Sequence, residues 1–309
     1  MTKILVTGGA GFIASHIVDR CISEGHETII IDNITTGKEK NLNPKAKFYK
    51  ADITTSEASE IILKEKPEII FHLAAQIDVR KSIENPEFDK KVNIEGSKNI
   101  IAAAQKAGVK KLIFSSTGGA IYGDTDILPT PETAPNNPIS QYGKSKLAVD
   151  QEMQKLAAQN SKTILISLRY GNVFGPRQDP LGEAGVISIF GNGLLNNKPV
   201  FINGDGKQTR DYVYVGDVVN ANFLAMQKCD KPNIYNVGTG IETNVLQIVE
   251  ALKKVLKPAN PQVSHRDAIK GEVLRSVLDT KKIQSELGWK PQVNLQQGIE
   301  KFVEWLKSS

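Results

Sequence analysis

Cysteine is scarce in this 309-residue chain: Cys21 and Cys229 stand far apart. They offer neither a disulfide framework nor a paired-thiolate metal site, which fits a reducing compartment. Histidine is hardly more frequent. His16, His26, His72 and His265 never fall at metal-ligand spacing and read as surface or core residues, so no metal is expected. No apolar run approaches the ~18 residues that suggest a membrane span. The first motif begins at Lys3, which leaves no room for a signal peptide, so the expected location is cytoplasmic, with no membrane partner. Net charge is only +5, and the lysines are dispersed among acids. Without a basic block or an aromatic-interleaved stripe, a nucleic-acid partner is excluded. Internal repeats and low-complexity segments are also missing.

What is present is a composition 40% hydrophobic and 24% charged, enough to bury a large core as one domain or two associated lobes. Six runs read as strands: KILVT (3–7), ETIIID (27–32), AKFYK (46–50), EIIFHLA (68–74), KLIFSS (111–116) and TILISLR (163–169). Several are apolar at consecutive positions, as strands covered on both faces are. Helical patterns fall between them at 12–25, 56–65, 87–107 and 141–160. That alternation predicts an α/β, Rossmann-type, doubly wound parallel sheet over residues 1–170. Beyond it, Gly- and Pro-rich stretches and a helical tail at 297–307 predict a smaller C-terminal substrate-binding lobe, 171–309, partly interleaved with the first.

ILVTGGAGFIASHIV places Gly8, Gly11 and Ala14 between a strand and a helix. Glycines there permit a tight turn and close backbone approach, so helix amides can face a pyrophosphate. Such turns also occur for structural reasons alone. Asp32, about twenty residues on, discriminates: its carboxylate can accept from both adenosine ribose hydroxyls. It would repel the extra phosphate of NADP, and the next residue is Asn33, not arginine. NAD is the expected cofactor. Asp52 and Ile53 follow the third strand and suit the adenine, or alternatively a helix N-cap region. Leu73, Ala74 and Ala75 bring small residues past the fourth strand, where backbone can approach the pyrophosphate and nicotinamide ribose.

QYGKSK holds Tyr142 and Lys146 four apart on a predicted helix, and therefore on one face. A lysine ammonium beside a phenol stabilises the phenolate, lowering a pKa otherwise of about 10 and making tyrosine a usable base. The pair follows the hydroxyl-rich strand end SSTGGAIYG, where a doubly wound fold opens its crevice.

TGGAGFIA, Asp32, SSTGGAIYG and YGKSK occur in the order typical of extended short-chain dehydrogenase/reductases. The chain resembles the UDP-glucose 4-epimerase group of that family. The likeness continues through LRYGNVFGPRQDP, GDGKQTRDYVYVGDV, YNVGTG and LGWKP, over essentially the whole length. It implies tightly bound NAD, oxidation of the sugar C4 hydroxyl, turnover of the 4-keto sugar and reduction from the other face.

Tyr142 is then the base, and Lys146 tunes it and holds the nicotinamide ribose. Thr117 relays the proton or holds the sugar oxygen, with Ser116 the alternative because many relatives have a loop one residue shorter. Tyr122 becomes a loop-packing residue. The implied cofactor contacts also include Gly8, Gly11, Phe12, Ile13, Asn33, Ser115 and Tyr170, with Asn93 supporting the site from behind. For a UDP-sugar, the resemblance implies Asn172 and Arg210 at the diphosphate, Gly185 and Val186 at the uracil, and Glu272 at the uridine ribose. One departure is Ile269, where relatives usually carry an arginine. Ser276 stands where some relatives carry a bulky tyrosine, leaving room for N-acetylated hexoses. A homodimer packed through 87–107 and 141–160 is implied as well.

Gly118 and Gly119 stand where related dehydratases bear an Asp-Glu pair and decarboxylases a Ser-Glu pair. Elimination needs carboxyl groups, so the segment favours oxidation and re-reduction. The alternatives are a UDP-glucuronate or UDP-N-acetylglucosamine 4-epimerase, a decarboxylase, or a non-enzymatic NAD-sensing protein.

Overall fold

A computed structural model describes residues 1–180, 185–268 and 273–308. Its strands are β1 (Lys3–Thr7), β2 (Glu27–Ile31), β3 (Lys47–Tyr49), β4 (Ile69–His72), β5 (Lys111–Thr117) and β6 (Ile164–Tyr170). They continue with β7 (Asn172–Phe174), β8 (Val200–Asn203), β9 (Thr209–Tyr214), β10 (Asn233–Val237), β11 (Glu242–Asn244) and β12 (Val263–Arg266). The helices are α1 (Phe12–Ser23), α2 (Ser56–Glu65), α3 (Val79–Glu84), α4 (Pro86–Lys90), α5 (Ser97–Ala107) and α6 (Gly118–Ile121). After them come α7 (Gln141–Ala158), α8 (Val186–Leu195), α9 (Val215–Lys228), α10 (Val245–Leu256), α11 (Lys281–Leu287) and α12 (Leu295–Ser308).

Seven parallel strands form one sheet in the order β10-β6-β5-β4-β1-β2-β3. The consecutive apolar residues explain its burial, because neighbours on a strand point to opposite faces. Ile4 and Val6 enter the core layer shared with Ile17 of α1 and Phe223 of α9, while Leu5 enters the layer shared with Ile61, Ile100 and Val149. Helices α1 and α9 thus cover one face and α2, α5 and α7 the other. This is the doubly wound fold that the alternation predicts. The strand order reverses between β1 and β4, so the crevice opens beyond their carboxyl ends.

Strand β10 comes from far beyond residue 170 yet pairs with β6 at the sheet edge. The rest of the C-terminal part builds a three-stranded β11-β9-β7 sheet and the β12-β8 pair. Ile187, Phe190, Ile248, Leu252 and Phe302 join α8, α10 and α12 in a separate core. Among the described residues, no helix is long and apolar enough to cross a membrane.

The helix expected over 87–107 is not continuous. A π-helical turn, Lys91–Gly96, separates α4 from α5. Asn93 and Gly96 are buried in it, and a Cβ at Gly96 would lie 2.9 Å from the Ile53 side chain. The wider turn carries Asn93 inward to a polar cluster, in keeping with the functional settings of such turns.

Candidate active site

A cleft of about 1290 Å³ runs along the carboxyl ends of β1, β2, β4, β5 and β6 and across to β9. At one end, Gly8, Gly11, Phe12 and Ile13 form its floor, with Asp32 and Asn33 beside them. Gly8 has φ +74°, and a Cβ there would sit 2.8 Å from the Ala74 amide nitrogen, so only glycine lets the β1 turn meet the β4 turn. Gly11 caps α1 with no side-chain hydrogen bond, and the first turn carries no acid. Its amides and helix dipole therefore suit an anion. Asp32 accepts from Ala10 N at 3.0 Å and Ile34 N at 2.7 Å, and burial pushes its pKa up against these bonds. Each carboxylate oxygen keeps acceptor capacity for ribose hydroxyls. These features fit a dinucleotide.

Asp52, Ile53, Leu73, Ala74 and Ala75 line the same end. Asp52 accepts from Thr54 N at 2.8 Å and from Asn33 Nδ2 at 2.9 Å. It shapes a turn, and Thr55 is the N-cap of α2.

His72 organises the β4 turn from beneath. The Thr7 hydroxyl accepts from Leu73 N and Ala74 N, both at 3.1 Å, and donates to His72 Nδ1 at 2.7 Å. His72 Nε2 then donates to Ser97 Oγ at 3.0 Å, and Ser97 donates to the Asn93 carbonyl. This chain requires a neutral ring, and burial holds its pKa at about 3. The unfolded chain takes up this proton near pH 6.5, so stability falls with pH over the window from 6.5 to 3, by about 1.4 kcal/mol per unit. Urea titrations should show a loss of ~2 kcal/mol between pH 6.5 and 5 from this group, absent in His72→Gln.

Asn93 is buried and is not among the residues that line the cleft. Its Oδ1 accepts from Gln76 N, and its Nδ2 donates to Gln76 O and Asp89 Oδ2. The π turn commits the whole amide to holding the 73–76 turn from behind.

At the centre of the cleft stand Ser115, Thr117, Tyr142, Lys146 and Tyr170. Ser140 caps α7 by accepting from Gly143 N, and Tyr142 N donates to Ser82 Oγ of α3. Lys146 Nζ donates to Ser115 O at 2.8 Å and lies 4.6 Å from the Phe114 ring centroid and 5.8 Å from that of Tyr142. Burial lowers its pKa to about 8, against the pull of Asp150 and Asp89.

Ser116 and Thr117 both line the cleft but differ in their hydroxyl partners. Ser116 also touches the cleft, but its hydroxyl donates to the buried Asp150 at 3.2 Å. Thr117 precedes α6 and faces the cleft. Tyr122 is buried in a network: it accepts from Arg169 Nη1 at 3.0 Å and donates to Asn236 Oδ1 at 2.8 Å. Burial pushes its pKa up, so it is a packing residue.

Asn172 and Arg210 line the far end with Gly185 and Val186. Arg210 Nη1 donates to Thr209 O at 2.8 Å. The Glu272 and Ile269 positions lie outside the described residues. Ser276 is buried and is not among the described residues that line the cleft.

Among the contributors that escaped sequence reasoning, two stand out. Helix α3 brings Val79, Arg80 and Lys81 to the cleft, and its signals were Asp78 as N-cap and the following Asn85-Pro86. Gln178 also lines the cleft, and its buried Oε1 has no hydrogen-bond partner among the described residues. An orphan acceptor at a cavity wall suits a ligand donor.

Known proteins with this arrangement are close in sequence and in shape. UDP-glucose 4-epimerase of Mycolicibacterium smegmatis is 40% identical over 312 residues, 99% of each chain. The structure of UDP-glucose 4-epimerase with UDP-glucose from Thermotoga maritima superposes with TM-score 0.95 at 46% identity, covering 99% of this chain and 98% of that one. The Thermus thermophilus UDP-glucose 4-epimerase complex with NAD gives 0.93 at 40% identity, with 99% of each chain covered. The model of the NAD dependent epimerase/dehydratase family matches residues 4–238. With the glycine turn, Asp32 and the Tyr142–Lys146 pair on one cleft, the chain belongs to the NAD dependent epimerase/dehydratase family.

Proposed function

We propose that the protein is a nucleotide-sugar 4-epimerase that interconverts UDP-glucose and UDP-galactose with NAD bound. The observation that carries this reading is the wall beside Thr117. A Cβ at Gly118 would lie 2.6 Å from Leu278 Cδ1, and Gly119 bears no side chain. No carboxyl at either position can remove a C5 proton or protonate a leaving C6 hydroxyl. The described residues beside this strand end, Thr117, Tyr142 and Lys146, suit proton exchange at a sugar hydroxyl.

Bound NAD supplies a reversible acceptor for the C4 hydrogen of the sugar. Backbone at Gly8 and Gly11 and the Asp32 carboxylate hold it at the pyrophosphate and adenosine ribose, with Lys146 at the nicotinamide ribose. Tyr142 takes the C4 hydroxyl proton and later returns it, and the Lys146 ammonium beside its ring favours the phenolate. Thr117 holds or relays that proton. Arg210 and Asn172 anchor the diphosphate while the sugar turns, a role suited to the guanidinium. Residues 1–170 chiefly serve the cofactor and 171–309 the nucleotide sugar. A cytoplasmic homodimer packed through α5 and α7 completes the reading; sedimentation tests the dimer.

Incubating the purified protein, NAD and UDP-galactose should yield UDP-glucose by NMR. No conversion of any UDP-sugar would overturn the proposal. The kcat/KM of the parent should fall as pH rises through about 8, where Lys146 loses its charge. This is not alkaline unfolding: between 8 and 10.5 the unfolded chain keeps a proton that the fold has released, so this group favours folding as pH rises. Lys146→Arg should remove that alkaline limb, even with lower activity.

A further inference from the structure

Among the described residues, six glycines line the cleft: Gly8, Gly11, Gly37, Gly119, Gly171 and Gly185. The fold accounts for five. A Cβ would reach Ala74 N at 2.8 Å from Gly8, Gly8 O at 3.0 Å from Gly11, Ala10 Cβ at 2.8 Å from Gly37, and Asp211 O at 2.7 Å from Gly171. Gly185 is the N-cap of α8, where glycine is common. Gly119 differs. Its φ is outside the left-handed region, and an added Cβ would meet nothing nearer than Asn172 Oδ1 at 3.5 Å and Thr117 Oγ1 at 3.9 Å. The fold has room for alanine there, and alanine is the better helix former. Among the described residues, nothing requires bare backbone at this point.

We infer that Gly119 is a specificity-determining position that keeps clear the volume in which the hexopyranose ring of the nucleotide sugar turns over. The inference rests on the epimerase reading. Thr117 stands at the reacting hydroxyl and Asn172 at the anchored diphosphate, and Gly119 touches the space between them. A ring that must present each face in turn, with its diphosphate fixed, sweeps this space in both poses. A Cβ in contact range of both flanking groups would narrow that sweep. Its neighbour Gly118 cannot serve this role, because it faces Leu278 and does not line the cleft.

The test compares the parent with Gly119→Ala and Gly119→Val. Both variants should fold with the parental Tm or above for alanine, and calorimetry should give UDP affinity within about two-fold of the parent. By the cost of a misplaced methyl group in a shaped pocket, kcat should fall about ten-fold in Gly119→Ala and ~100-fold in Gly119→Val. Affinity for UDP-glucose relative to UDP should fall in Gly119→Val. Parental kcat in a folded Gly119→Val, or a parallel loss of UDP affinity, would overturn the inference. A parent inert towards every UDP-sugar would sink the epimerase reading instead. The sugar-dependent affinity would still decide the role of Gly119, since its loss in the variant supports the inference and an unchanged value contradicts it.

Discussion

Tyr142→Phe is expected to bind UDP as the parent does and to lose about 10²–10⁴-fold in kcat, the range for removing a positioned general base. The substitution removes one oxygen and leaves the ring. The Lys146 Nζ, 5.8 Å from the ring centroid, and its bond to Ser115 O should therefore persist. The Tyr142 amide still donates to Ser82 Oγ, which keeps α3 against the start of α7. Because UDP anchoring is assigned to Asn172 and Arg210, the loss should fall on kcat, with calorimetric UDP affinity unchanged. Turnover near the parental value would mean that another group handles the C4 proton. Ser116 and Tyr122 are poor substitutes, since their hydroxyls are committed to Asp150 and to Asn236.

Asp150→Asn is expected to destabilise the fold by about 3–5 kcal/mol, the cost of breaking a buried ion pair from one side. Asp150 and Arg169 are 1% and 3% exposed, and Arg169 Nε donates to Asp150 Oδ2 at 2.9 Å. Burial pushes the carboxyl pKa up, but Arg169, Ser167 and Ser116 all donate to it and hold it charged. Amidation leaves a guanidinium without its counter-charge, with Tyr122 and Asn136 as its remaining polar partners. Urea denaturation at neutral pH measures the loss, and Arg169→Met added to Asp150→Asn should restore part of it. The same substitution has a second readout. Asp150 is the foremost charge sustaining the Lys146 ammonium, so the alkaline limb of kcat/KM should move below pH 8. A variant as stable as the parent would contradict the ionised assignment of the pair.

The parallel sheet was legible because its strands are apolar on consecutive positions, a pattern that only two-sided burial explains. The dinucleotide end was legible because its parts are local: a glycine turn, one helix start and one acid at the next strand end. The commitment of Ser116 was not legible, because its partner Asp150 lies on α7. Asn93 illustrates the limit. Periodicity placed it on a helix near the site, whereas its direction depends on a π turn and on Gln76 and Asp89 as partners. Helix α3 was missed because its single hydrophobic face is too short to show a period, and only its caps mark it.

The most direct test of oxidation and re-reduction without elimination is to run the reaction in deuterated water and read the product by NMR. UDP-glucose formed from UDP-galactose should carry no deuterium at C4 or C5, because the C4 hydrogen is retained and no carboxyl beside Thr117 exchanges the C5 proton. Deuterium at C5, or a product that has lost water, would contradict the account.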